Sequence, residues 1–133
     1  MYRVTIHLQT TAAQQLVDVT EELRRVAAAH PEALLMALFA RGATAAVMVQ
    51  ENWDPNIKQD ILTALEKTVP RGIWLHDQMD GNADAHIKAG IVGASETIPL
   101  EDGKLLLSTW QNVFFCDFDG PRPSRELVVT LLP

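Results

Sequence analysis

Between His76 and Lys88 the chain reads HDQMDGNADAHIK, which places two of its four histidines, three aspartates and a Gly-Asn step around one glycine. His76 and His86 are ten positions apart, too far to occupy adjacent turns of one helix, so a shared site requires the Asp80-Gly81-Asn82 turn to fold them together. A divalent cation, zinc or magnesium, would then take the two imidazoles and add oxygen from Asp80, Asn82, Asp84 or Glu51. Asp84 and His86 could instead form a carboxylate–imidazole pair in which the carboxylate orients the ring for acid–base work. That pairing needs an extended segment, because residues two apart share a face of a strand and not of a helix. The bland alternative is a solvated polar turn with no ligand.

Two further groups could carry chemistry. Glu51, Asn52 and Asp54 cluster at the entry to an expected helix. Asp54 is accounted for as its N-cap, which leaves Glu51 and Asn52 as candidates for a cation or an anion. Trp110, Gln111 and Arg122 offer an aromatic surface, an amide and a guanidinium, suited to a ring and a phosphate. GxGxxG, Walker, CxxC and HExxH patterns are all absent, which removes the common nucleotide, zinc-ribbon and metalloprotease readings.

The elements that must position these residues are unevenly legible. Val4, Ile6 and Leu8 alternate with polar neighbours, the period of a strand with one wet face, so His7 points to solvent. Val19, Leu23, Val26 and Ala27 form a helical stripe that ends near His30-Pro31, and Asp18 with Glu21 has capping-box spacing. Residues 33 to 50 are ambiguous, since Ala, Leu and Met favour helix while Arg41-Gly42 could turn two buried strands. A second helix starts at Asp54-Pro55, buries Ile57, Ile61, Leu62, Leu65 and Val69, and stops at Pro70 and Gly72. Beyond Lys88 the chain is strand-like to its end. Helices early and strands late predict an α+β fold with a mostly antiparallel sheet.

With 133 residues the chain fits one domain, 1–133, and 47% apolar against 21% charged residues is the balance of a folded globular protein. A net charge of −6 argues against nucleic acid or an anionic membrane as partner. No stretch approaches the roughly 20 apolar residues that cross a bilayer, and the N-terminus lacks the apolar core of a signal peptide. The lone Cys116, in the apolar run VFFCDF, reads as a buried structural thiol and suits a reducing cytoplasm.

Five segments, TAAVMVQENWDP (44–55), HDQMDGNADAHIKA (76–89), GAS (93–95), DGKLLLSTWQ (102–111) and FDGPR (118–122), resemble in this order the YjbQ family, for which a secondary thiamine-phosphate synthase activity has been proposed. The resemblance spans roughly residues 38 to 132. It implies an α+β fold whose mostly antiparallel sheet forms a sandwich or barrel-like core with two main helices on one side, two strands over residues 33 to 50, a homotrimer, and one pocket holding Glu51, Asn52, His76, Asn82, Asp84, His86, Thr109, Trp110, Gln111 and Arg122. It departs from the family's usual pattern at Gly42, where a histidine opens an HTTAA segment, at Ser108, where glycine is usual, and at Asp117, where glutamate is common.

Two functions follow as expectations. The first is a transferase of thiamine-phosphate-synthase type acting on a phosphorylated small molecule. His86, Asp84 and Glu51 would be its catalytic groups, His76 and His86 would hold a metal, and Asn52, Asn82, Thr109, Trp110, Gln111 and Arg122 would bind substrate. The second is a noncatalytic member that keeps the pocket and binds a small phosphorylated molecule, having lost the histidine at Gly42.

Overall fold

A computed structural model describes residues 1–133, in the order β1 (Tyr2–Leu8), β2 (Gln15–Asp18), α1 (Thr20–Ala28), β3 (Leu35–Arg41), β4 (Ala45–Gln50), α2 (Pro55–Thr68), a 3-10 turn (Leu75–Gln78), α3 (Ala83–Val92), β5 (Ser95–Glu101), β6 (Lys104–Leu105), β7 (Asn112–Asp117) and β8 (Arg125–Leu132). Five strands make one sheet in the order β1-β8-β3-β5-β6 and three make a second, β2-β7-β4. Every pairing is antiparallel. This is the α+β fold expected from the separation of helical and strand patterns, with the sandwiched antiparallel sheet that the resemblance implies.

Strand β8 has one inward face, Arg125, Leu127, Val129 and Leu131, alternating with less buried neighbours. Its leucines and valine join Met36, Leu38 and Ala40 of β3 and Ile98 and Leu100 of β5 against Val47 of β4 and Val113 and Phe115 of β7. Val19, Leu23 and Ala27 bring α1 onto the same core. The opposite face of the three-stranded sheet, with Ala46, Phe114 and Cys116, packs on Ala85 and Ala89 of α3 and on the half-buried Ile61, Leu62 and Leu65 of α2. Phe114 and Phe115 point to opposite faces and are both fully buried, each worth about 1.5–3 kcal/mol of apolar transfer.

This layering explains the ambiguity of residues 33 to 50. Strand β4 is covered on both faces, so AAVMV shows no alternation, and its propensity yields to tertiary packing. The two strands implied by the resemblance are present but lie in different sheets, with Gly42 in the crossing between them.

The helices differ in detail from expectation. Asp54 caps α2 by accepting from the Asn56 N–H at 2.9 Å, and Pro55 takes the first position. The capping box at α1 does not form. Asp18 instead accepts from Thr20 N at 2.9 Å and Thr20 Oγ1 at 2.6 Å, and turns its other oxygen to Asn52 and Asn112. A third helix, α3, occupies the second half of the His76–Lys88 window, where the polar sequence suggested a turn and no helix. The two helices that share a side of the sandwich are thus α2 and α3. None is long and apolar enough to cross a membrane.

Candidate functional site

The His76–Lys88 window is shaped by a residue the motif reading passed over. Asp77 accepts from the Trp74 N–H and the Ala83 N–H, both at 3.1 Å, so one carboxylate ties the start of the 3-10 turn to the first turn of α3. These two backbone donors hold its carboxyl below the ordinary carboxylate value. The fold-back brings the rings of His76 and His86 to a centroid separation of 5.0 Å at 88°. Together with Trp74, Leu75, Ala83 and Ile87 they line an open, mainly apolar depression of about 440 Å³. The predicted meeting of the two histidines across the turn is therefore found. Of the nearby carboxylates, Asp80 approaches His76 Nε2 at 3.6 Å.

Asp84 is not part of that face. In a helix it cannot pair with His86 two residues on, and it turns inward, 2% exposed, to accept from Lys88 Nζ at 2.9 Å. Lys88, fully buried, also donates to Glu66 of α2 at 2.6 Å. This contact is the main cause that lowers the Glu66 carboxyl from its ordinary value. The carboxylate–imidazole pair expected of Asp84 and His86 is replaced by a buried ion bridge between α2 and α3.

A second polar group joins the start of α3 to the β7–β8 loop. Asp119 Oδ2 accepts from Asn82 Nδ2 at 2.9 Å and Arg122 Nη2 at 3.0 Å, and Arg122 Nε donates to the Asp119 carbonyl at 2.9 Å. Asn82 and Arg122 are thereby connected across 40 residues, and Arg122 keeps 45% of its side chain exposed. Behind them lies a buried group of which the sequence flagged only Asp117, as a departure from the family's usual glutamate. Asp117, fully buried, accepts from Arg125 Nη2 at 2.6 Å, Thr10 Oγ1 at 2.7 Å and Asp119 N at 2.8 Å. Burial opposes its ionisation, but these donors and the guanidinium charge outweigh it and hold the carboxyl below its ordinary value. The signal available in sequence was Arg125 itself, which falls in phase with Leu127, Val129 and Leu131.

The remaining candidates separate. Glu51, Gln50, Trp53 and Trp110 line an open depression of about 450 Å³, with the two indoles edge to face at 5.3 Å. Asn52 turns from Glu51 to donate to Asp18 at 2.6 Å. Burial raises the Asp18 carboxyl, and the hydrogen bonds from Thr20, Asn52 and Asn112 more than reverse this. Gln111 accepts from the Ser108 N–H at 2.9 Å, which shapes the exposed Ser108–Gln111 turn carrying Thr109 and Trp110. Within one chain nine of the ten residues assigned to a single pocket lie in separate depressions or in structural hydrogen bonds, and Thr109 is exposed on its turn.

No group of three or more His, Cys, Asp or Glu side chains stands ready to hold a metal ion. His76 and His86 could contribute two ligands, and the others would come from solvent or another molecule. Cys116 is buried and its thiol pushed up to about 12, which removes it as a nucleophile.

A family model described as UPF0047 protein YjbQ-like matches residues 4–133. A UPF0047 protein of Methanocaldococcus jannaschii is 37% identical over 94% of this chain and 90% of its own length. The UPF0047 protein YugU of Bacillus subtilis is 36% identical over 89% and 90%. Among solved structures, a YbjQ-like protein of unknown function from Sulfolobus solfataricus superposes with a TM-score of 0.93 at 32% identity, covering 98% of this chain and 95% of that one. A hypothetical protein from Aeropyrum pernix gives 0.92 at 32% identity over 99% and 98%.

Proposed function

The chain belongs to the YjbQ-like UPF0047 family, and from that premise we propose that it binds a small phosphorylated molecule, with Arg122 meeting the phosphate and the His76–His86 face meeting a ring. The observation that carries this reading is the fixing of Arg122 by Asp119, which leaves an oriented, half-exposed guanidinium on a loop tied to the start of α3. A guanidinium held by its own loop loses little freedom on meeting a phosphate, which favours binding. Turnover has less support: Asp84 is committed to Lys88, Asn52 to Asp18, and Gly42 supplies no imidazole.

The reading includes a homotrimer in a reducing cytoplasm. The exposed Trp53, Leu75, Met79 and Trp110 supply apolar surface for association, and neighbouring copies could unite depressions that lie apart in one chain. The buried, unpaired Cys116 suits the compartment.

The second reading, a transferase of thiamine-phosphate-synthase type, is favoured by the two accessible imidazoles of the His76–His86 pair. Joining an aminopyrimidine diphosphate to a thiazole phosphate needs the departing diphosphate neutralised, by Arg122 or by a divalent cation that His76 and His86 help to hold. Calorimetry with the thiazole phosphate, paired with a diphosphate-release assay on both substrates, separates the readings. Binding without release is expected. Release that disappears in His86→Ala would establish the transferase, and neither binding nor release would sink both.

A further inference from the structure

We propose that the depression over Gly42 is an oxyanion site in which Arg125, Arg41, Arg122 and Ser124 hold a phosphate group. It extends the reading above by placing the phosphate, and rests on that reading only through Arg122. The depression has a volume of about 480 Å³, and three guanidinium groups line it against one carboxylate, Glu126. Glu126 is engaged by Arg41 Nη1 at 3.0 Å. Arg122, paired with Asp119, and Ser124, whose hydroxyl lies 3.4 Å from His7 Nδ1, are exposed on the same lining.

The decisive residue is Arg125, 7% exposed. Its Nη2 is spent on Asp117 and Thr44, at 2.6 and 2.8 Å, while Nε is buried without a partner and Nη1 makes no hydrogen bond. An arginine presents five N–H donors, and leaving buried donors of a charged group unpaired is costly. The free Nη1 is the atom that a Cβ at Gly42 would meet, at 2.8 Å. Glycine thus leaves open the space into which the unpaired end of Arg125 faces. Asp117 does not cancel this donor, because it binds the far nitrogen and divides its oxygens among Arg125, Thr10 and Asp119. A tetrahedral oxyanion suits several donors lining one depression, here the free Nη1 of Arg125, the Arg41 and Arg122 guanidinium groups and the Ser124 hydroxyl.

Inorganic phosphate alone is the probe, titrated into the protein at low ionic strength while the Gly42 and Ser124 amide resonances are followed. Saturable shifts at both amides are expected. Arg41→Gln should weaken binding about fivefold to tenfold, as for loss of one charge-assisted contact. Ser124→Glu, a surface substitution that brings a carboxylate to the rim, should abolish binding, while Ser124→Gln, of equal bulk, should weaken it by no more than about tenfold, as for loss of one neutral hydrogen bond. Silent Gly42 and Ser124 amides, or equal binding by Ser124→Glu, would overturn the proposal. Saturation at Gly42 with no binding of any organic phosphate would leave the site standing and remove the functional reading, whereas organic phosphate binding with Gly42 silent would do the reverse.

Discussion

Lys88 Nζ stands 2.9 Å from Asp84 Oδ2, one turn away on α3, and neither side chain reaches solvent to any useful extent. Two charges taken out of water are held by each other, with Glu66 as a second partner of Lys88, so removing Lys88 strands Asp84 and removing Asp84 leaves the buried Lys88 to Glu66 alone. Lys88→Met and Asp84→Ala are each expected to lower the unfolding free energy by about 3–5 kcal/mol, and the two changes combined by less than the sum. Urea midpoints of the four proteins measure this. Additive losses would mean that the two side chains do not act as a pair. A loss of binding in Asp84→Ala alone therefore reports on folding before it reports on the site.

The depressed carboxyls of Asp18 and Asp117 set the acid limit. Each is held below its ordinary value of 3.8, so each adds stability that is fully present above that value and is lost as pH falls through the lower, folded-state value. Stability should stay level down to about pH 4 with respect to these two groups and fall steeply below it. Asp18→Asn should lower stability at neutral pH and flatten the decline, because one of the protons taken up on unfolding is removed. An unchanged acid slope in that variant would exclude Asp18 from the effect.

What the sequence made legible depended on whether one face of an element met water. Strand β1 and helix α2 each have a wet face, and the alternation of Val4, Ile6 and Leu8 and the Asp54-Pro55 start were readable. Strand β4 has none, and its pattern was mute. Helix α3 was missed because Asn82, Asp84 and Lys88 look like solvated turn residues, although Asp84 and Lys88 carry the i, i+4 spacing of a helical ion pair. At the site, the pairing of His76 with His86 was legible from two histidines around a glycine turn. Asp77 and Asp119, which do the positioning, were not, since their partners are backbone N–H groups and side chains distant in the sequence.

Gly42 tests whether the histidine that the resemblance implies at this position can be introduced. Its φ of +154° is uncommon for a residue with a side chain, and a Cβ would press on Arg125 Nη1, an atom fixed through Asp117 and Thr44. Gly42→Ala and Gly42→His are expected to cost about 1–3 kcal/mol each, through backbone strain and displacement of a buried guanidinium. Neither should recruit a metal. Stoichiometric zinc in Gly42→His, measured by elemental analysis after purification without affinity metal, would show that an imidazole does fit there and that the chain is a decayed metal site.

His76 and His86 test the other face. The side chain of His76 is 39% exposed, and its contact with Asp80 at 3.6 Å is long and open to solvent, so its ring adds little to stability. His86 is half buried against His76, edge to face, with an apolar wall of Trp74, Leu75 and Ile87 beside them. His76→Ala should leave the thermal midpoint within a few degrees of the parent, as for a surface change of about 0.5 kcal/mol. His86→Ala should remove the inner ring of the pair and weaken a ring-bearing phosphate ligand about tenfold, equivalent to one lost aromatic contact of about 1.4 kcal/mol. Binding of inorganic phosphate should not change, because neither histidine lines the arginine depression. Light scattering completes the test: a His76→Ala protein that dissociates would place this polar cluster at a contact between copies, and a retained assembly with weakened ligand would keep it as a binding face.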